Sequence, residues 1–364
     1  MRYKKQVYKM TGAIVFKTPG RICLFGDHQD YLGLPVIAAT IDRYISLHAS
    51  PIDTPELFII LDDLNQKMTI ALDDPCENLA PRDYFRSALR VLRKEGIVLR
   101  KGYRIHLRGD IPINAGLSSS SAVVVAWVRF ILKAAQPQRH FKKEQIAAWA
   151  HAAEVVEFNE PGGIMDHYTI ALGGMIFLNT QTAEYLPLEP PNAHFILGES
   201  GLKKATLSVL GQSKSKALKA LEMVKEKTPD FDLLSSSIDD VDPYKSLLPK
   251  TLFPYWYAAI HNYEITKKAL ALLQASPHDI TQLGTLMNMH QEILDKQLNN
   301  TPPLMAKMMA KALKNGGLGA KIVGSGGGGC FLVLGQKKNA QALLSTFKDD
   351  QKVYTIHLTP EQND

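Results

Sequence analysis

Four stretches of this 364-residue chain gather side chains able to do chemistry. The first is NAGLSSSSAVV, residues 114–124, where four serines stand between a Gly-Leu pair and an apolar run. Asn114, Ala115, Gly116 and Leu117 make a loop of small residues, and a helix is expected to begin among Ser118, Ser119, Ser120 and Ser121. The unpaired N–H groups and positive dipole end of a helix start suit a phosphate group, with the hydroxyls adding donors and a possible metal ligand. Plain helix capping by Ser118 explains the same residues without a ligand. No G-x-x-x-x-G-K-[ST] spacing is present, so this is not a Walker loop.

The second stretch, GAKIVGSGGGGCFLVL at 319–334, runs through Gly324, Ser325, Gly326, Gly327 and Gly328 to a further glycine. Such a run is entropically costly and is expected where φ is positive or where backbone closely approaches a ligand or the serine loop. A loose hairpin turn is the alternative. The third, FKTPGRICLFGDHQDYLGLPVIAATID at 16–42, packs Arg21, Asp27, His28, Asp30 and Tyr31 between two apolar runs that should be strands. Carboxylates, imidazole and phenol together suit a polyhydroxyl compound, unless the turn is merely a solvated hairpin tip. The fourth, AEVVEFNEPGGIMDHYTIALGG at 153–174, sets Asp166 directly after Ile164 and Met165. A carboxylate in apolar surroundings beside a cation is an acid/base candidate, and helix capping is the alternative.

These groups have to be positioned by an α+β framework. Short β-branched stretches (AIVFKT, FIIL, YRIHLRG, GMIFLNT) alternate with the helical patterns SAVVVAWVRFILKAA and EQIAAWAHAAEVVEF in the first half. The proline-rich LPLEPPNAHF, 186–195, reads as a connection and places domains at 1–188 and 189–364. Beyond it come long helical patterns (KSKALKALEMVKEK, PYWYAAIHNYEITKKALALL, ITQLGTLMNMHQEILDKQL) and one strand-turn-strand unit around the glycines.

Apolar residues make up 45 %, enough for one large or two medium cores, and the formal charge is +6. Lys and Arg are scattered rather than massed, which argues against nucleic acid and fits attraction of a small polyanion. The helical segment PRDYFRSALRVLRKEG accounts for one basic cluster as a solvated face. Cys23, Cys76 and Cys330 are far apart and without CxxC spacing, so reduced core thiols are expected. No apolar run reaches the length of a membrane span and the first residues lack a secretory h-region, so a cytoplasmic protein is expected.

Taken in order, the four stretches resemble the motifs of the GHMP kinase superfamily, its galactokinase branch most closely. PGRICLFGDHQDY is similar to PGRxNLIGEHTDY, PINAGLSSSSA to PxGxGLSSSA, PGGIMDHY to PCGIMDQF, and VGSGGGGC to TGGGFGGC. The resemblance implies a two-domain GHMP kinase fold, with an N-terminal domain like ribosomal protein S5 domain 2, a ferredoxin-like C-terminal domain and ATP between them. It implies ATP and Mg²⁺ as cofactors and phosphoryl transfer to a hydroxyl of a monosaccharide, with the anomeric hydroxyl as the expected acceptor. Asp166 matches the residue that takes the acceptor proton, and Arg21 the arginine that orients it. Glu154 and Ser120 match the Mg²⁺ ligands. Gly116 to Ser121 would wrap the triphosphate, Gly324 to Gly328 would close the site, and Asp27, His28, Asp30 and Gly163 match sugar-contacting positions.

Departures lie at the acceptor. Asp27 and Gln29 replace glutamate and threonine, and HFILGESGLKKATLSVLGQSKSK has no tyrosine where one is expected to hold the sugar. The acceptor therefore stays open among hexoses, deoxyhexoses, pentoses and uronic acids. Mevalonate-type phosphorylation is the second reading, because LFGDH with GLPVIA is similar to LFGEHAVVYGKPAIA; an acidic acceptor would call for a cation such as Lys203 or Lys204. A non-catalytic sugar and ATP sensor is the third. Partners are expected to be these small molecules alone, with no nucleic acid or membrane, in a monomer or homodimer.

Overall fold

The computed structural model describes residues 13–202, 206–347 and 352–361. Its first sheet is built on one long strand, β2 (Val36–Ile52), which pairs antiparallel with β1 (Ile14–Phe25). On its other edge β2 changes partner, from β6 (Met175–Leu178) beside Val36–Ala39 to β5 (Gly102–Gly109) beside Ile45–Ile52. Strands β3 (Glu56–Leu61) and β4 (Gln66–Ala71) extend the sheet past β5, with β3 and β5 parallel, and β7 (Tyr185–Leu188) extends it past β6.

Four helices cover one face: α1 (Tyr84–Lys94), α2 (Ser119–Ala135), α3 (Lys143–His151) and α4 (Met165–Leu172). Helix α2 lies on β1 and β2 and is buried at Ala122, Val124–Val128 and Phe130–Leu132. Its β-branched valines are mediocre helix formers, so burial, not propensity, holds this segment helical.

The second sheet is antiparallel in the order β11-β8-β10-β9: β8 (His194–Glu199), β9 (Gly317–Ile322), β10 (Cys330–Gly335) and β11 (Val353–Ile356). Helices α7 (Ile280–Lys296) and α8 (Pro303–Lys314) pack on β9, α6 (Phe253–Gln274) packs on α7 and on β1 and β2, α5 (Thr206–Lys227) packs on α6, and α9 (Ala340–Ser345) follows β10. The chain then returns to the first sheet, where Leu358 bridges Ile41 and Glu361 bridges Gly173.

The fold is α+β as expected, with three corrections. The strand-turn-strand unit is part of a four-stranded sheet, because HFILGE and the short VYTI also pair. The connection around the prolines shrinks to residues 189–193. EQIAAWAHAAEVVEF is not one regular helix: α3 ends at His151 and a π-helical turn, Ala152–Val156, follows. Such turns concentrate at functional sites, and this one carries Glu154. All three cysteines are free and buried, and no helix among the described residues is long and apolar enough to cross a membrane.

Candidate active site

A cavity of about 640 Å³ opens between the serine loop, the β1–β2 turn, the start of α4 and the glycine loop. The serine loop is docked on β1, where the Arg21 N–H donates to Leu117 O (3.2 Å). It is tightly wound, with left-handed backbone at Asn114, Gly116 and Ser118. Ser118 occupies the N-cap position of α2 but does not cap it. Its left-handed φ turns the hydroxyl to donate to Asp166 Oδ2 (2.5 Å), so capping does not explain this serine. Ser119, Ser120 and Ser121 line the cavity at the helix start, where N–H groups have no intrahelical partner.

Asp166 sits in the first turn of α4 and does not cap it either. Arg21, buried in β1, sends both Nε and Nη2 to Asp166 Oδ1 (2.7 Å each) and Nη1 to Gly116 O (2.7 Å). One guanidinium thus fixes the carboxylate and the serine loop together. Burial alone would push the Asp166 carboxyl up; the charge of Arg21 and the Ser118 hydroxyl outweigh it and hold the group below the usual carboxylate range. The Asp166 side chain keeps 28 % of its surface exposed, toward the cavity it lines. It is an ionised, oriented carboxylate.

Glu154, buried on the π turn, is held by His167 (Oε2 to Nε2, 2.7 Å). Burial pushes its carboxyl up, but His167, then the Ser120 and Ser121 hydroxyls, bring it below the ordinary value. Burial and the neighbouring His167 push His151, stacked edge-on to that ring, down to about 4. Glu154 and Ser120 both line the cavity, and their hard oxygens suit Mg²⁺. Among the described residues no cluster of three or more His, Cys, Asp or Glu side chains is arranged to hold a metal alone. An ion here would take its remaining ligands from water and phosphate, the usual habit of Mg²⁺.

At the far end the turn after β1 is not solvated. Asp27, His28 and Gln29 are buried, and Asp27 is fully engaged by Lys321 Nζ (2.5 Å) and the Gly324 N–H (2.9 Å). His28 contacts Tyr31 and Ser325. Tyr31 is turned off the cavity, because the 3₁₀ turn Asp30–Leu32 points its hydroxyl at His28. Asp30 accepts the Tyr31 N–H at Oδ1 (2.9 Å). Its Oδ2 has no donor among the described residues and approaches Gly163 so closely that a Cβ there would collide with it. Burial, then the charge of Asp166, push the Asp30 carboxyl up to about 6.

Because the folded state binds the Asp30 proton more tightly than the unfolded chain, its stabilising contribution is present below about pH 4 and is lost as pH rises through about 6. The Tm difference between the protein and Asp30→Asn should therefore move in favour of the variant between pH 4.5 and pH 7; a constant difference would contradict the shift.

In the glycine loop, only Gly324 and Ser325 face the cavity. Gly326, Gly327 and Gly328 turn away with positive φ, and a Cβ on Gly326 would sit 2.5 Å from Asn300 O. Gly329 approaches the serine loop, 2.6 Å separating its would-be Cβ from Ala115 O. The close approach expected from the glycine run is therefore partly to protein backbone. The cavity wall also includes the apolar side chains of Leu61, Leu64, Ile113 and Val123, together with Gln66, Arg82 and Glu160. Lys203 and Lys204 lie outside the described residues. Lys321, His167 and Asn300 were not singled out in the sequence. Lys321 leaves one signal, a lone cation in the strand GAKIVG.

Residues 83–174 match the GHMP kinases N terminal domain, residues 267–350 the GHMP kinases C terminal domain, and residues 2–51 the galactokinase galactose-binding signature. Among similar proteins, a galactokinase of Thermococcus kodakarensis is 28 % identical over 90 % of both chains. A mevalonate kinase of Pyrococcus furiosus is 26 % identical over 90 % of this chain and 91 % of its own. The fold superposes on the Lactococcus lactis galactokinase complexed with galactose with a TM-score of 0.86 at 22 % identity, covering 97 % of this chain and 95 % of the other. The Methanococcus jannaschii mevalonate kinase gives 0.72 at 20 %, covering 96 % and 99 %.

Proposed function

The chain belongs to the GHMP kinase family, and on that premise we propose that it transfers the γ-phosphoryl group of ATP to a hydroxyl of a neutral monosaccharide, the anomeric one by preference. The observation that carries this reading is the arrangement of Asp166. It is ionised, oriented by Arg21 and Ser118, and set between a loop of helix-start N–H groups and the Asp30 carboxylate.

Phosphoryl transfer needs positioning and charge neutralisation more than covalent chemistry. The serine loop and the start of α2 would hold the phosphates, with the base of the nucleotide toward Leu61, Leu64 and Ile113. Glu154 and Ser120 would hold Mg²⁺, which when bound offsets phosphate charge. Asp166 takes the acceptor hydroxyl's proton as the new P–O bond forms and the bond to ADP breaks. Arg21, already paired with Asp166 and with Gly116 O, keeps that carboxylate ionised and oriented beside the serine loop.

Galactokinases and mevalonate kinases are similarly related to this chain, so the acceptor has to be argued from the site. At the acceptor end Arg21 is engaged by Asp166 and Lys321 by Asp27, while Asp30 keeps an acceptor oxygen. A carboxylate placed there would face Asp30 and Asp166, while the cations lining the cavity, Arg21 and Arg82, are already paired with Asp166 and Glu160. Sugar hydroxyls would instead donate to Asp30. The galactose-binding signature over residues 2–51 supports the same choice. A coupled assay over neutral hexoses, deoxyhexoses, pentoses, uronic acids and mevalonate tests it. A neutral sugar should exceed mevalonate and the uronic acids by about 100-fold or more in kcat/KM, since a site built for hydroxyls discriminates strongly. Preference for mevalonate would refute this reading, and no turnover with any acceptor would favour a sensor.

A further inference from the structure

We propose that Asp27, His28 and Lys321 form a clasp that fixes the glycine loop over the cavity, and that Asp27 and His28 are positioning residues rather than acceptor ligands. The proposal rests on the reading of this cavity as a nucleotide site. Family motifs place both residues against the sugar, but both carboxylate oxygens of Asp27 and Nε2 of His28 already have partners in the second half of the chain, and His28 Nδ1 is paired with Tyr31. Asp27 Oδ1 accepts the Gly324 N–H (2.9 Å), and Oδ2 pairs with Lys321 Nζ (2.5 Å). The ammonium is fully buried and also donates to Cys23 O (3.1 Å) and Ile322 O (2.8 Å). Its three protons are thus satisfied, and one arm of the contact holds β1 while the other holds β9.

The next residue repeats the pattern. His28 has left-handed backbone (φ 64°), a conformation disfavoured outside glycine and retained where surrounding contacts fix it. Its Nε2 lies 3.1 Å from Ser325 O and 3.2 Å from Asn300 Nδ2, and its Nδ1 lies 3.1 Å from the Tyr31 hydroxyl. Asn300 adds a third anchor, donating from Nδ2 to Ser325 O (3.4 Å) and accepting the Gly327 N–H (2.6 Å). The buried Ser325 hydroxyl has no partner among the described residues and belongs to a residue in the cavity wall. A loop rich in glycine pays a large ordering cost when it closes on a ligand. The clasp removes that cost in advance.

Asp27→Ala alone would leave the Lys321 ammonium buried without a counter-charge, a change that commonly unfolds a protein. The test therefore uses the double variant Asp27→Ala/Lys321→Met beside Asp30→Asn. Affinity for a non-hydrolysable ATP analogue should fall about tenfold or more in the double variant, with amide exchange of residues 324–329 accelerated, as expected when preorganisation is lost. Its acceptor KM at saturating nucleotide should stay within about twofold, whereas Asp30→Asn should raise acceptor KM and leave the nucleotide affinity alone. A raised acceptor KM with unchanged nucleotide affinity and unchanged exchange in the double variant would overturn the clasp. If the unmodified protein bound no nucleotide, the kinase reading would fall, and exchange at 324–329 would still decide the clasp. A double variant that does not fold is replaced by His28→Ala, judged by the same measurements.

Discussion

Asp166→Asn should lower turnover by about 10²- to 10⁴-fold, the usual contribution of a positioned base, with nucleotide affinity nearly unchanged. Asparagine keeps the shape and an oxygen for Arg21, which donates to Oδ1 from both Nε and Nη2. Its amide also fits beside the Ser118 hydroxyl, which now donates to Oδ2. What the change removes is the negative charge and the lone pair that accepts a proton. The effect belongs in kcat and kcat/KM equally, because the interaction is made in the transition state. Single-turnover rates and analogue binding measured on the same preparation check this. Near-normal turnover by the purified variant would remove Asp166 from the mechanism and with it the role of Arg21.

Glu154→Gln should shift the Mg²⁺ requirement upward by at least about tenfold, since even outer-shell partners of a metal commonly alter its affinity 10- to 100-fold. The substitution preserves side-chain volume on the π turn and a group for His167, which now lies 2.7 Å from Oε2. It deletes the charge that burial opposes and that His167, Ser120 and Ser121 stabilise. Ser120→Ala should move the same titration in the same direction by less, because a neutral hydroxyl contributes less to binding a hard cation than a carboxylate does. A Mg²⁺ titration of initial rates at saturating ATP checks both. Superimposable titrations for Glu154→Gln and the unmodified protein would mean that Glu154 does not hold the ion.

What the sequence made legible were features written in short, local patterns. The serines announced the start of α2, the two apolar runs of the stretch 16–42 became β1 and β2, and the glycine run marked a loop in close contact. What it hid depends on backbone angles or on distant partners. Ser118 looked like a cap until its left-handed φ aimed the hydroxyl at Asp166. Tyr31 looked like a sugar ligand until a 3₁₀ turn rotated it onto His28. Asp27 is paired with a lysine 294 positions away, a distance over which no periodicity speaks. The π turn under Glu154 was invisible because Ala152–Val156 carries no Gly or Pro to mark a break, and β8 was obscured by the prolines just before it.

The central claim is that a neutral sugar is phosphorylated on its anomeric oxygen, and the most direct measurement of it is the NMR spectrum of the product. After incubation with ATP, Mg²⁺ and the best acceptor of the panel, the new phosphorus resonance should couple to the anomeric proton of the sugar, and Asp166→Asn should form it at the reduced rate given above. A product phosphorylated on mevalonate, or coupling to a non-anomeric position of the sugar, would contradict the account.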